Sequence, residues 1–183
     1  MKQISVIIPT YNRGHLIHLT INSFLKQSYP VKFYEIIVCD NNSTDSTKKI
    51  VQKIISDNPN RIKYIFEKRQ GVHYARNSAA KVATGDILYY TDDDMIADKN
   101  LLIEIVKIFD LDPKVASVTG RVLPKWEVEP PAWVTKLCYN GWLSLNDPIE
   151  DVIISPNDCN VWSCHQAMKR DIFFKAGGFN PEN

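Results

Sequence analysis

The sequence predicts an α/β fold, with a mostly parallel central sheet flanked by helices. Two observations predict it. Short apolar runs of strand length alternate with stretches whose apolar residues recur at helical spacing. The connections between them are short, which suits parallel strands joined by crossover helices covering both faces.

Ile4-Ser5-Val6-Ile7-Ile8, stopped by Pro9, predicts a buried first strand. Ile17, Ile21, Phe24 and Leu25 mark the first helix. Tyr34 to Cys39 predicts the second strand, ending at Asp40, and Asn41-Asn42-Ser43-Thr44-Asp45 is turn and helix-cap chemistry. Ile50, Val51, Ile54 and Ile55 share one helical face, and Arg61 to Phe66 predicts the third strand. Val72 to Ala83 is Ala-rich and helical, with Gly85 expected as its C-cap. Asp86 to Thr91 is the fourth strand, Leu101, Leu102, Ile105, Val106 and Phe109 mark a helix, and Val115 to Leu123 is the fifth strand.

From Pro124 to Asn160 five prolines and three tryptophans (Trp126, Trp133, Trp142) change the texture. This predicts an ordered irregular insertion, with a short helix over Trp133 to Leu137. Asn160 to Lys169 predicts a further strand, and Asp171 to Ala176 a helical turn stopped by Gly177-Gly178. The expected organisation is a ligand-binding α/β half over 1–123 and a partial second half over 124–183.

At 183 residues, 44% hydrophobic and 23% charged, the chain can build one domain, or one with a small appendage. Disorder, collagen-like repeats and a pure coiled coil are excluded. A net charge of +1 argues against a broad electrostatic grip on nucleic acid. Met1-Lys2-Gln3 leads straight into a strand-length run, so no secretory leader is expected, and no stretch approaches a membrane span. Cys39, Cys138, Cys159 and Cys164 are expected as free thiols in a reducing cytosol.

Ligands of such sheets sit outside the carboxyl ends of the strands. Thr10-Tyr11-Asn12, Asp40 and Asp92-Asp93-Asp94 all fall there. Three adjacent carboxylates repel one another and raise each other's pKa unless a cation neutralises them. Oxygen ligands suit Mg²⁺ or Mn²⁺, which bind through one or two carboxylates plus substrate phosphates. As plain structure, the tract is a solvated turn before the helix near Asp98; its position at a strand end favours the metal.

Asp40 can accept a hydrogen bond from a planar N–H such as a base edge. Asn41, Ser43 and Asp45 can cap the next helix, which is expected to leave Asp40 free. Arg69, His73 and Arg76 cluster around Gly71; arginine partners phosphates and carboxylates, although Arg69 also reads as a solvated helix residue. Thr10-Tyr11-Asn12-Arg13-Gly14 lacks the G-x-G-x-x-G of a dinucleotide turn, and no phosphate-binding G-x-x-x-x-G-K-[ST] loop exists. Tyr11 is either a base-stacking ring or a packing aromatic. Cys159, Cys164 and His165 have no second ligand pair and read as packed residues rather than zinc ligands. No G-x-S-x-G elbow is present. The four tryptophans read as local core for the most part, with a sugar-stacking platform as the alternative.

Together five ordered motifs carry a resemblance. They are Val6-Ile7-Ile8-Pro9-Thr10-Tyr11-Asn12, the run Ile37 to Thr47, Gly71-Val72-His73-Tyr74-Ala75-Arg76-Asn77, Asp92-Asp93-Asp94 and Arg170 to Phe179. The chain resembles the family 2 glycosyltransferases of GT-A fold, in which the acidic tract is the D-x-D motif and the last segment ends in GGF. The resemblance implies a nucleotide-sugar donor, UDP favoured, held by Pro9, Thr10, Tyr11, Asp40, Gly71, Arg76, Asp92 and Asp93. It implies Mg²⁺ or Mn²⁺ on Asp94, supported by Asp92, and transfer with inversion to a glycan, polysaccharide or lipid-linked acceptor. The Trp162 to Gln166 stretch would face that acceptor. A cytoplasmic protein at the inner face of the membrane, in contact with it peripherally, is the setting implied.

This chain departs from the family's usual pattern in two places: Asp40-Asn41-Asn42 stands where Asp-Asp-Gly is usual, and Cys164-His165-Gln166-Ala167 where a Gly-Ala-Asn-Met-like run is common. The family's catalytic Glu-Asp pair follows the GGF segment, so the general base is expected beyond Asn183 and the chain reads as part of a longer enzyme. A nucleotidyltransferase acting on a sugar phosphate, or a non-catalytic nucleotide-sugar-binding module, are the alternatives.

Overall fold

The computed structural model describes residues 1–137, 145–147 and 161–181. Six strands form one sheet: β1 (Ile4–Thr10), β2 (Tyr34–Asp40), β3 (Ile62–Phe66), β4 (Ile87–Thr91), β5 (Ser117–Thr119) and β6 (His165–Lys169). Helices α1 (Ile17–Leu25), α2 (Thr47–Asp57), α3 (Val72–Val82), α4 (Leu101–Leu111), α5 (Ala132–Leu137) and α6 (Arg170–Lys175) connect or flank them. The strand order is β3-β2-β1-β4-β6-β5. β1 to β4 are mutually parallel, whereas β6 runs antiparallel to both of its neighbours. The expected mostly parallel α/β sheet is therefore what the chain forms.

The sheet is buried on both faces because its strands carry apolar residues on both sides of the pleat. Val6 and Ile8 point into a cluster with Ile17, Ile21 and Phe24 of α1, Val51 of α2 and Leu102, Ile105 and Phe109 of α4. Ile7, one residue out of phase, points the other way with Ile37 and Cys39. There it meets Ala75, Ala79 and Ala80 of α3 and Phe173 of α6. The alanines let α3 lie close to the sheet. Each fully buried Val or Ile contributes about 1.5–3 kcal/mol relative to exposure.

Several local expectations change. β1 continues through Pro9 and Thr10, because its register with β2 extends to the Thr10–Asp40 pair. Gly85 is not a C-cap: α3 ends with Ala83 already extended (φ −69°, ψ 137°). Gly85 is needed for close approach instead, since a Cβ there would lie 2.6 Å from the Ser5 backbone nitrogen. β5 is trimmed to Ser117–Thr119 and β6 to His165–Lys169, each limited by the length over which it pairs with its neighbour. Trp126 and Trp133 are 41% and 59% exposed, so they are not local core. The six-residue α5 has too little face to bury a tryptophan, and most of residues 131–136 are exposed. Trp142, Cys138 and Cys159 lie outside the described residues.

Candidate functional site

The carboxyl ends of β1 to β4 open into a cleft of about 450 Å³. Gln70, Gly71 and Val72 line it beyond β3, Asn41 beyond β2, Pro9, Thr10, Tyr11 and Arg13 at β1, and Asp92, Asp93 and Asp94 beyond β4. The acids stand beyond β4 at one end of the rim and the 70–72 segment beyond β3 at the other. Of the residues expected to hold the donor and metal, all but Asp40 and Arg76 line this cleft; Arg69, His73 and the 162–166 stretch do not.

The three aspartates differ in setting. Asp92 leaves β4 half-exposed and places Oδ1 2.9 Å from Nη2 of Arg76. Burial pushes its carboxyl up, Arg76 opposes this, and Asp94 adds to the upward push. Asp93 turns inward: the Thr10 hydroxyl donates to its Oδ2 at 2.7 Å, and the Thr20 hydroxyl to its backbone carbonyl at 2.8 Å. Burial again raises its carboxyl, with Thr10 and Arg13 acting against that. Asp94 is exposed at the cleft. Among the described residues no group of three or more His, Cys, Asp or Glu side chains is arranged to hold a metal ion. Among the described residues Asp94 and Asp92 Oδ2, on the less buried of the three acids, accept no hydrogen bond, and a Mg²⁺-type ion takes one or two carboxylates from protein when phosphates complete its shell.

Asp40 is fully buried and is not free. Its Oδ1 accepts from the Ser43 backbone N–H at 2.8 Å and its Oδ2 from the Tyr64 hydroxyl at 2.7 Å. The strand-to-helix turn needs its own backbone donors satisfied, and Asp40 shares that work with Asp45. Asp45 Oδ1 takes the Thr47 N–H at 2.9 Å, and Oδ2 takes the Gly14 N–H at 3.1 Å. Asn12, at φ 52°, accepts from the Thr44 N–H at 2.8 Å, so the loops after β1 and β2 are tied together. Asparagine tolerates that left-handed conformation.

Arg76 is only 4% exposed and lies behind the cleft wall. It also donates to the Ser163 carbonyl at 3.3 Å, and its guanidinium sits 5.4 Å from the Phe179 ring centroid. The Asn77 amide holds Phe179 in place, donating to its carbonyl at 2.8 Å and accepting its N–H at 3.0 Å. His73 stacks on the same ring at 5.3 Å. The GGF segment thus packs on α3 behind the acidic end of the cleft. Arg69 leaves the cleft for Glu67, at 2.9 Å, and covers the Tyr74 ring. Cys39 and Cys164 are buried free thiols.

Sequence reasoning missed Arg13, Gln70 and Val72 as lining residues, and the parts played by Asn41 and Glu67. Asn41 is 4% exposed, and its amide contacts three backbone groups of the loop after β3. Its place directly after a strand-ending Asp was the available signal.

The model of glycosyl transferase family 2 matches residues 5–176. The chain belongs to glycosyl transferase family 2. The family 2 domain is 26% identical over 187 residues to the glucosyl-dolichyl phosphate glucuronosyltransferase of Haloferax volcanii, covering 97% of this chain and 56% of the relative. It is 40% identical over 96 residues to the GalNAc(5)-diNAcBac-PP-undecaprenol beta-1,3-glucosyltransferase of Campylobacter jejuni, covering 51% of this chain and 30% of that protein. Among solved structures, the mannosyltransferase PcManGT from Pyrobaculum calidifontis, in complex with GDP-Man and Mn²⁺, superposes with a TM-score of 0.74 at 27% identity. That match covers 99% of this chain and 48% of the other. S. aureus TarS 1-349 with UDP-GlcNAc matches at TM-score 0.58 and 31% identity, over 67% of this chain and 37% of that one. The sheet and its helices are the GT-A fold. The chain spans 56% or less of the length of these curated relatives.

Proposed function

We propose that this family 2 domain binds a nucleoside diphosphate sugar, UDP-linked by preference, as the donor half of a metal-dependent inverting glycosyltransferase. The observation that carries the reading is the rim cleft, which has Asp92 and Asp94 beyond β4 at one end, the exposed aromatic Tyr11 beyond β1, and Gly71 beyond β3 at the other end. A donor laid along it has its diphosphate at the acids and its base toward the β3 side. The solved complexes of similar proteins with GDP-Man and Mn²⁺ and with UDP-GlcNAc support it.

In this reading Tyr11 stacks on the base, and Pro9, Thr10 and Gly71 approach base and ribose with backbone and hydroxyl groups. Asp40, buried and holding the Ser43 N–H and the Tyr64 hydroxyl, contributes through the 41–43 turn. Arg76 keeps Asp92 aimed so that Oδ2 stays open. Asp93 fixes the floor through Thr10 and carries the strand end toward the sugar. Asp94 and Asp92 would hold Mg²⁺ or Mn²⁺. Such an ion, when bound, supplies positive charge to the departing diphosphate. An acceptor hydroxyl, deprotonated by a carboxylate base, attacks the anomeric carbon from the face opposite the diphosphate, which inverts the configuration.

The acceptor class proposed is a glycan, polysaccharide or lipid-linked sugar; the dolichyl- and undecaprenol-linked names of relatives support the last. The proposed place is the cytoplasmic face of a membrane, met peripherally. Among the described residues no helix is long and apolar enough to cross one.

Calorimetric titration with UDP-sugars and GDP-sugars, with and without Mn²⁺, tests the reading. Manganese-dependent binding of at least one donor is expected, and its loss of metal dependence in Asp94→Asn. No binding of any nucleotide sugar overturns it. Pyrophosphate release from a nucleoside triphosphate would select a nucleotidyltransferase instead. A bound donor left uncleaved by the full-length protein would select a binding module.

A further inference from the structure

The loop between β3 and α3, residues 67–71, is held from two sides by buried polar groups that the reaction itself does not use. From the sheet side, the Asn41 amide donates to the carbonyls of Glu67 (3.2 Å) and Arg69 (2.6 Å), and its oxygen accepts the Gly71 N–H at 2.8 Å. The Glu67 N–H also donates to the Asp40 carbonyl at 2.9 Å. From the helix side, the Glu67 carboxylate accepts the Arg69 backbone N–H at 2.9 Å, both Arg69 guanidinium contacts, and the hydroxyl of Ser78 on α3. Glu67 is buried to 8% exposure. Gly71 has φ 138°, a conformation that side-chain-bearing residues rarely hold, so glycine is required where the clamped loop enters α3.

We propose that Asn41 and Glu67 are positioning residues that fix this loop as the β3-side wall of the cleft, and so make binding depend on the nucleobase. The proposal rests on the nucleotide-sugar reading above. Asn41 is suited to the task because its two N–H groups face two carbonyls while its oxygen faces an N–H. Aspartate would turn an oxygen toward those carbonyls and lose both donated bonds. Ser78 lies on α3 outside the cleft lining and acts on the wall only through Glu67. The acidic end of the cleft, beyond β4, is held by different contacts, Arg76 to Asp92 and Thr10 to Asp93. Loosening the clamp therefore weakens the grip on the base and leaves the grip on the diphosphate.

The test is calorimetry in Mn²⁺ with UDP, GDP and inorganic pyrophosphate as the base-free probe, on wild type, Asn41→Asp and Ser78→Ala, with folding checked by circular dichroism. Wild type is expected to bind one nucleotide better than the other. Asn41→Asp is expected to lose at least tenfold for the preferred nucleotide, to narrow the UDP-to-GDP ratio, and to change less than threefold for pyrophosphate. Ser78→Ala is expected to show the same pattern at about threefold, and it decides the matter if Asn41→Asp does not fold. Unchanged nucleotide affinity in a folded variant, or equal losses for nucleotide and pyrophosphate, overturns the proposal. Wild type that binds no nucleotide overturns the functional reading beneath it.

Discussion

Asp92, Asp93 and Asp94 are adjacent and chemically identical, and their surroundings alone distinguish them. The acidic tract was legible in the sequence, but which carboxyl faces where was not: residues leaving a strand lose the two-residue alternation that would orient them. Thr10 decides the case of Asp93, because its hydroxyl is the side-chain donor to that buried carboxylate. Thr10→Val keeps the shape and removes the donor. It is expected to destabilise the fold by about 1–3 kcal/mol, the cost of an unsatisfied buried polar group, read from urea unfolding. Glu67 gives a pH signature. The bonds from Arg69 and Ser78 hold its carboxyl down at about 2. A carboxyl lowered in the folded state adds stability above its ordinary value of 4.5, and that stability is lost as pH falls from there toward about 2. Glu67→Gln is therefore expected to flatten the fall of the melting temperature with pH over that acid window. Parallel curves for the two proteins would refute this.

At the level of elements, β1, β2, β4 and the helices α1, α3 and α4 were legible because each carries its own periodicity. Their junctions were not. Gly85 looked like a helix cap because glycine follows helices so often, but its requirement comes from Ser5 on another strand. Distant neighbours of this kind leave no local mark. Gly85→Ala forces a methyl against Ser5 backbone rather than a movable side chain. It is expected to cost about 2 kcal/mol or more and to lower the melting temperature by several degrees. The exposure of Trp126 and Trp133 has a related reason: aromatic content predicts burial only where an element exists to provide a face. Asp40 is engaged rather than free because the Ser43 N–H reaches it from the following turn and the Tyr64 hydroxyl from a neighbouring strand.

At the level of the molecule, stability is uneven across the sheet. The β1 side chains are buried from end to end, whereas the three residues of β5 are half-buried at the sheet edge. Hydrogen exchange is expected to be slowest in β1, β2 and β4 and fast in Ser117–Thr119. Equal protection of β5 and β1 would contradict this account. The parallel half was legible from alternation. The antiparallel placement of β6 between β4 and β5 was not, since pairing across so long a sequence gap has no signature in either segment.

That placement bears on how the protein emerges from the ribosome. Until Lys169 has been synthesised, β4, whose five residues are all buried in the finished sheet, has no partner on one side. A nascent chain stalled earlier would display that bare margin of hydrogen-bonding groups to any passing polypeptide. Versions ending before Trp162 should consequently sediment as aggregates, and those reaching Phe179 should remain dispersed.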